Sequence, residues 1–488
     1  MATINDLREE RLNKLNKLRS FSVDPFPAKV ERDHTILEAI SNFEELQSAA
    51  VSIAIAGRLL AIRGHGGAQF LDLFDGSASI QLHLKEDVVG AESFSLFEST
   101  IDIGDFISVR GKLFTTKRGE KTIEVSAWSI ISKTLRPLPE KYHGLKDEEA
   151  RLRLRYLDLL QSEDDREIFR KKARFWEVAR TFMKERGFIE VETPTLELTT
   201  GGAEARPFAT HHHDYDMNVY LRISVGELWQ KRLMAAGFPK TFEVGRVYRN
   251  EGSSAEHLQE FTNLEFYWAY ANYEDGMALV EELYRNLARE VFGTTKFEAK
   301  GHVFDLGAPW PRLDFREEVL RQTGVDVLET DVSAIQRRLK ELGVSHQGDT
   351  QERLTDTLWK HCRKQIAGPA FLVHLPKLIA PLAKTHDTNP LLTQSFKPLF
   401  AGSEMGNGYS ELNDPIDQRL RFEEQERLLK AGDEEAMMPD WDFVEMLEYG
   451  MPPTCGFGFG ERVFATLAGR TIRDCQLFPL VKPRSVED

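Results

Sequence analysis

The sequence predicts an α+β protein of more than one domain, and three observations carry that expectation. Residues 51–131 have an all-β pattern. Around Leu135–Leu160 the texture changes to a proline-containing, densely charged stretch. From there to the C-terminus helices and strands mix without a regular βαβ repeat. At 488 residues the chain is too long for one ordinary core, so two or three domains are expected. A hydrophobic content of 41% and a charged content of 29% fit a soluble globular protein. No apolar run approaches membrane-spanning length and MATINDLREERLNK lacks a signal-peptide core, so the expectation is a cytoplasmic protein with no membrane partner. Cys362, Cys455 and Cys475 are too few and too scattered for a disulfide framework or a zinc cage. The net charge of −15 argues against indiscriminate nucleic-acid binding but leaves room for a locally shaped RNA site.

Residues 1–50 read as a helical extension. Arg11, Lys14 and Lys17 recur at helical spacing beside Leu12, Leu15 and Leu18, a run more often found on a docked helix with a solvated face than on an RNA patch. Residues 51–133 form the β domain. Its candidate strands are Val51–Arg63, Gln69–Phe74, Ser79–Leu84, Phe106–Thr116 and Lys121–Ile131, with turns at Gly64–Gly67, Asp75–Gly76 and Arg118–Gly119. A helical stretch, Glu92–Glu98, falls between the third and fourth. That order suggests an OB barrel, whose outer face takes single-stranded nucleic acid by base stacking. Phe70 and Gln81 are candidates for that face, a ring to stack on and an amide to read a base edge.

Residues 134–165 read as a linker or hinge, and 166–488 as the larger domain. An amphipathic helix over about Arg166–Arg186 carries Ile168, Phe169, Phe175, Trp176, Ala179, Phe182 and Met183 as its apolar stripe. Gly187 ends it, and FIEVETP forms a strand closed by Pro194. Residues 330–365 read as a helical insertion. Neither a GxxxxGK[ST] loop nor a GxGxxG fingerprint between strand and helix occurs, so the common phosphate loops are excluded.

The stretch YRNEGSSAEHLQEFTNLEFYW, Tyr248–Trp268, reads as the turn and second strand of a hairpin begun at Thr241. Its polar face gathers Arg249, Glu251, Glu265 and Tyr267, with Phe261 as a flat platform and Glu256 and His257 in the loop above. Burying such charges is costly unless they find partners or a charged ligand. A nucleotide offers phosphate, base edges and a π-face; a structural salt-bridge network is the alternative. In GSEMGNGYSELND, Gly402–Asp414, Glu404 and Glu411 flank glycines that admit a ligand close to the backbone, and paired carboxylates suit a metal ion or an ammonium. In CGFGFGERV, Cys455–Val463, alternate glycines leave a bare strand face for a flat ligand, with Arg462 opening the next helix. His211–His213 are adjacent in a loop and are not assigned to a metal.

Together these features resemble class II aminoacyl-tRNA synthetases. The helix–strand ending at Pro194, the Arg249–Glu251 hairpin and the Gly-rich strand ending at Arg462 look like motifs 1, 2 and 3. The N-terminal OB domain marks the subclass for Asp, Asn and Lys. The strings LRPLPEKYHGLKDEEARLRLRYLDL, GGAEARPF, NGYSELNDP and TIRDCQLFP are similar to the bacterial lysyl-tRNA synthetases, and the resemblance covers nearly the whole chain. It implies an antiparallel catalytic sheet flanked by helices, ATP and L-lysine as substrates, Mg2+ in an uncertain number, tRNA(Lys) as partner, and a homodimer through motif 1. It also implies roles. Arg249 and Arg462 are catalytic. Arg249, Glu251, His257, Phe261, Glu404 and Arg462 hold ATP, with Phe261 and Arg462 on either side of adenine and Glu404 as a magnesium ligand. Glu227, Tyr267, Asn407 and Glu411 hold lysine. Phe70 and Gln81 meet the central anticodon uridine.

The chain departs from the family pattern in three places. Glu256 stands where an Arg usually contacts the γ-phosphate, Lys397 where a second metal-binding Glu is usual, and motif 3 is one residue short. The opposite signs of the first two changes suggest that Lys397 compensates for Glu256, with fewer magnesium ions on the phosphates; the alternative leaves Glu256 solvent-exposed in a mobile loop and pairs Lys397 with a neighbour. Three rival readings remain: a sister synthetase for Asp or Asn, a paralogue that ligates lysine to a protein, and a non-catalytic RNA-binding or regulatory homologue.

Overall fold

The computed structural model describes residues 3–64, 66–139, 147–202, 205–252, 254–346, 348–432 and 436–483. Residues 1–147 and 148–488 form two separate compact units.

In the first unit, β1 (Ser52–Gly64), β2 (Ala68–Phe74), β3 (Ser79–Lys85), β4 (Phe106–Thr115) and β5 (Lys121–Ser132) close a barrel in the order β1-β2-β3-β5-β4. Period-two patterning explains it. Along β3, Ile80, Leu82 and Leu84 point into the core while Gln81, His83 and Lys85 remain on the outer side. A bulge between Arg110 and Gly111 bends β4 against β5, and Gly111 lies so close to the Glu124 carbonyl that a Cβ has no room. Helix α1 (Ile4–Ser20) starts in a capping box between Thr3 and Asp6. Its basic run is split in use. Arg11 is buried and donates to Thr134 Oγ1 at 2.7 Å and Ile103 O at 3.0 Å, Lys14 pairs with Asp102 at 2.7 Å, and Lys17 is exposed. This stripe therefore fastens the helix to the barrel.

Part of the predicted linker, residues 140–146 and with them part of the string beginning LRPLPEKYHGLK, lies outside the described residues, as do Ala203 and Glu204 of GGAEARPF. Residues 148–161 are helical and belong to the second unit. Buried Arg155 donates to Asp158 at 2.6 Å and to the Asp474 carbonyl at 2.7 Å. Helix α2 (Glu163–Glu185) follows, capped by Ser162 and ended at Gly187 with φ +80°. It buries Phe175, Trp176, Ala179, Phe182 and Met183, while Ile168 and Phe169 are only half-buried.

The second unit is built on a sheet of β6 (Ile189–Glu190), β7 (Lys240–Tyr248), β8 (Glu260–Ala269), β9 (Arg312–Asp314), β10 (Ala370–Val373), β11 (Ser395–Phe400), β12 (Asn407–Ser410) and β13 (Thr454–Gly460), in the order β9-β10-β11-β12-β13-β8-β7-β6. It is antiparallel except at its ends, where β6–β7 and β9–β10 run parallel. FIEVETP supplies only the two residues of β6. One face packs Phe242, Leu264, Phe266 and Phe457 under α2 and helix α3 (Tyr273–Phe292). The opposite face is not the solvated one that alternation predicts. Glu265 and Tyr267 are buried there too, 6% and 3% exposed, because the functional cleft is built on that side. Helices Val332–Glu341 and Gln351–Cys362 occupy the predicted insertion and share a core of Ile335, Leu339, Leu354 and Leu358. Cys362, Cys455 and Cys475 are buried free thiols.

Candidate active site

Two adjoining chambers, about 310 and 210 Å3, open on the polar face of β8 and β13 and share Arg249, Asn263, Asn407 and Gly458 in their walls. The glycines of β13 make the space, but not a bare face. A Cβ at Gly456 would collide with Glu411, one at Gly458 would meet Glu265 Cγ at 2.8 Å, and one at Gly460 would meet Asn263 Oδ1 at 2.5 Å. Polar side chains of neighbouring strands thus fill much of the space that these glycines leave.

The first chamber collects acids. Glu227 opens a helix, Glu227–Ala235, directly after Gly226, whose φ of +66° and contact with Thr193 leave no place for a side chain. One turn on, Lys231 Nζ lies 2.8 Å from Glu227 Oε1 and 2.6 Å from Glu411 Oε2. All three are at most 5% exposed. Tyr409 OH donates to Glu227. Glu265 Oε1 accepts from Val225 N at 2.7 Å, and Tyr267 OH donates to its other oxygen at 3.4 Å. Neither oxygen of Glu411 receives an aligned hydrogen bond. Burial, with Glu227 nearby, pushes the Glu265 carboxyl up to about 7, against the Val225 amide and Arg249. Burial, opposed by Lys231 but aided by Glu227, raises the Glu411 pKa. Burial disfavours the Lys231 ammonium, yet Glu227 and Glu411 outweigh it and raise its pKa.

The second chamber is lined by Arg249, Glu251, Glu256, His257, Phe261, Glu404 and Arg462, with Asn407 at the shared wall. The Arg249 guanidinium sits 5.4 Å from the centre of the Phe261 ring. Burial lowers its pKa, partly offset by Glu251 and Glu265. Arg462 Nη2 lies 3.2 Å from His257 Nε2. Since Arg can only donate, Nε2 accepts, and Nδ1 carries the proton toward Ser254 Oγ at 2.8 Å. Burial and then Arg462 lower the His257 pKa, which keeps the ring neutral.

Glu404 accepts from Trp359 Nε1 at 2.6 Å on one oxygen and from Lys397 Nζ at 2.9 Å on the other. Burial would raise its pKa, but Lys397, Arg363 and these bonds hold it at about 2. Glu256 pairs with Lys300, whose Nζ also donates to Ser403 Oγ at 2.8 Å. Of the alternative reading, Lys397 does pair with a neighbour, Glu404, whereas Glu256 is half-buried and paired rather than solvent-exposed. Each has its own partner, and they line different chambers. For magnesium, the described residues hold no group of three His, Cys, Asp or Glu that could cage an ion. Glu404, ionised and at the wall of the second chamber, is the carboxylate that would hold a magnesium ion brought with the nucleotide. Lys397 leaves no carboxylate for a second ion at that point.

On the barrel, a broad concavity of about 1110 Å3 is lined by Arg63, Phe70, Gln81, His83, Phe114 and Lys121. Phe70 stacks on His83, 4.4 Å between ring centres and 3° between planes. Gln81 Oε1 accepts from Thr122 Oγ1 at 3.0 Å, leaving its amide NH2 for another partner.

Every catalytic-domain site residue expected from the sequence lines one chamber or the other. Not expected were Asn263 and Tyr409 in the first chamber, Lys231 behind its carboxylates, the partners Lys300 and Trp359 of the second, and His83 on the barrel. The one local signal was the Glu227–Lys231 spacing, which on a sequence reads as a surface i,i+4 pair.

The comparisons agree with this architecture. Residues 53–131 match the OB-fold nucleic acid binding domain, and residues 147–482 match the family of class II tRNA synthetases (D, K and N). The lysine--tRNA ligase of Thermotoga sp. (strain RQ2) is 44% identical over 491 residues, covering 99% of this chain and 98% of its own. That of Moorella thermoacetica is 44% identical over 489 residues, 98% of each. That of Roseiflexus sp. (strain RS-1) is 41% identical over 487 residues, 99% of each. With similarity of this depth running from end to end, the chain belongs to the class II tRNA synthetases, within the lysine--tRNA ligase family.

Proposed function

We propose that the protein activates L-lysine with ATP and transfers it to tRNA(Lys). The observation that carries this reading is the buried pair Glu227 and Glu411, two carboxylates at the wall of one chamber that share the single ammonium of Lys231 and so lack a second cation, beside a cationic, ring-lined chamber. A buried carboxylate pair calls for a cation, and a site built to pair an ammonium rejects neutral isosteres because its own charges would stay bare. An aspartate or asparagine side chain offers no such cation, so the sister specificities are disfavoured.

In the activation step the lysine carboxylate oxygen forms a bond to the α-phosphorus, the bond from that phosphorus to the β-bridging oxygen breaks, and pyrophosphate leaves with the electron pair. The nucleophile is already an anion, so alignment and charge neutralisation do the catalysis. Arg249, in the wall common to both chambers, is sited to meet the substrate carboxylate and the α-phosphate together. Phe261 and Arg462 supply surfaces for adenine, and His257 and Glu251 polar contacts to the nucleotide. Glu265 and the Asn263 amide are available to the substrate's α-amino end, while Glu227, Glu411, Tyr267 and Asn407 meet the side chain. Glu404 would hold magnesium, which when bound neutralises phosphate charge. In the transfer step a terminal ribose hydroxyl of tRNA attacks the acyl carbon and AMP leaves. The barrel face with Phe70 and Gln81 takes the anticodon. The reading includes a homodimer formed through the α2–β6 segment and a cytoplasmic location; no described helix is long and apolar enough to cross a membrane.

Pyrophosphate exchange into ATP tests the assignment. Exchange that requires lysine and not aspartate, followed by charging of tRNA, is expected. Exchange with aspartate, or none, overturns it, and exchange without tRNA charging would favour the protein-ligating paralogue.

A further inference from the structure

The Glu227–Glu411 pair already contains a cation of its own. Lys231, 1% exposed, touches both carboxylates at 2.8 and 2.6 Å, while the carboxylates and not the ammonium line the chamber. The ammonium is enclosed by rings as well: Tyr409, Phe443 and Tyr267 lie 5.5, 5.7 and 6.0 Å from Nζ to their centres. Two acids and one ammonium sum to a single negative charge. The other groups facing the pair are Glu265 and Tyr267 from β8, Tyr409 from β12 and Cys455 from β13, with Arg249 beyond Glu265. None of them supplies a second cation to the pair.

We propose that Lys231 is a positioning residue for the amino-acid substrate: its ammonium, held behind Glu227 and Glu411, keeps both carboxylates ionised and leaves the pair the one negative charge that a single substrate ammonium neutralises. The proposal rests on the reading of this chamber as the lysine site. Without Lys231, two buried carboxylates face each other and one takes up a proton. The incoming ammonium then has to displace that proton, so binding weakens as pH falls. Burial raises the Glu411 pKa, and Lys231 is the group that acts most strongly to lower it.

The test is the Michaelis constant for lysine in pyrophosphate exchange, measured from about pH 6 to about 8.5 for the wild type, Lys231→Arg and Lys231→Met. Lys231→Arg is expected to keep the wild-type profile. Lys231→Met is expected to raise KM at least about tenfold near pH 7, one pKa unit's worth, with the gap narrowing toward the alkaline end and kcat within about threefold. A gap that stays constant across the range marks a merely structural residue and overturns the proposal. Should Lys231→Met not fold, Lys231→Met/Glu411→Gln restores the single negative charge. Its KM is expected to be nearly flat over that range, and a KM that still climbs about tenfold toward pH 6 overturns the proposal. A wild type that shows no lysine-dependent exchange at any pH removes the function proposed above, and this inference with it.

Discussion

Glu256, in the loop of the β7–β8 hairpin, is paired with Lys300 from a segment 44 residues downstream, and the same ammonium is bonded to Ser403. The acid in this loop is thus neutralised from across the chamber. Burial alone would raise its pKa, but Lys300 and then Arg462 hold it down, so the carboxylate is ionised at neutral pH. Glu256 lies under Arg462, whose Nη2 also reaches the Glu256 carbonyl at 3.5 Å.

Lys300 and Glu256 are therefore expected to behave as one unit in ATP binding, with Lys397 independent of both. Lys300→Ala leaves a half-buried acid beside the nucleotide and should raise KM for ATP about three- to tenfold, while Glu256→Ala/Lys300→Ala recovers part of the loss. A double-mutant cycle on exchange kinetics should give a coupling of about 1 kcal/mol for Glu256 with Lys300 and none beyond error for Glu256 with Lys397.

Lys397 governs Glu404. Its replacement by Glu would set two carboxylates against each other where one ion pair now stands. Lys397→Glu is expected to shift the Mg2+ concentration for half-maximal exchange upward and to steepen its dependence, because bound metal must now relieve the repulsion. Equilibrium titration with Mn2+ in the presence of a non-hydrolysable ATP analogue should count one more ion in the variant than in the wild type.

Arg222 and Glu243 hold the hairpin from beneath. Their ion pair, 2.6 Å and about 5% exposed, is completed by the Thr193 amide and hydroxyl on Glu243. Gly245 is close enough to the guanidinium that a side chain there would displace it. Arg222→Ala strands a buried charge and should cost about 3–5 kcal/mol, read as a fall in thermal midpoint, with exchange activity lost before global unfolding because β7 carries the chain into Arg249.

On the barrel, Phe70→Ala should raise KM for tRNA in charging about five- to 150-fold, the loss of one stacked base being about 1–3 kcal/mol. Pyrophosphate exchange, which uses no tRNA, reports whether the larger unit is intact. His83→Ala removes the ring that holds Phe70 flat and should reproduce part of that effect.

The barrel was legible because period-two alternation survives wherever one face is buried and the other wet, as along β3. The β8 strand defeated the same rule, since both of its faces are buried and its polar residues face a cleft rather than solvent. Arg249, Glu251 and Phe261 could be found because they sit on one hairpin. Glu411 was visible beside its glycines, Glu227 could be found only through the resemblance, and their partner Lys231 not even then. An i,i+4 Glu–Lys pair looks alike on a solvated helix and in a buried charge cluster until the segment bearing Glu411, some 180 residues later, is laid across it. The departures Glu256 and Lys397 were visible as letters, but their partners Lys300 and Glu404 required the fold.

Glu197 marks a cost that the fold carries outside the chambers. It is 7% exposed; one oxygen accepts from Trp229 Nε1 at 3.1 Å and the other has no partner. Burial, with Asp440 and Glu265 adding to it against Trp229 and Arg222, pushes its carboxyl up to about 8. An acid whose folded pKa is raised binds its proton more tightly folded than unfolded. Its contribution to stability is therefore neutral below about pH 4.5, where both states are protonated, and becomes unfavourable as pH rises toward 8, then levels off. Glu197→Gln keeps the acceptor for Trp229 and removes the titration. It should leave the thermal midpoint nearly unchanged at about pH 5 and raise it at about pH 8, by an amount corresponding to about 2–4 kcal/mol once partial solvent access is allowed for. Thermal melts of both proteins at the two pH values check this, and an equal shift at both would mean that the gain comes from packing and not from the proton.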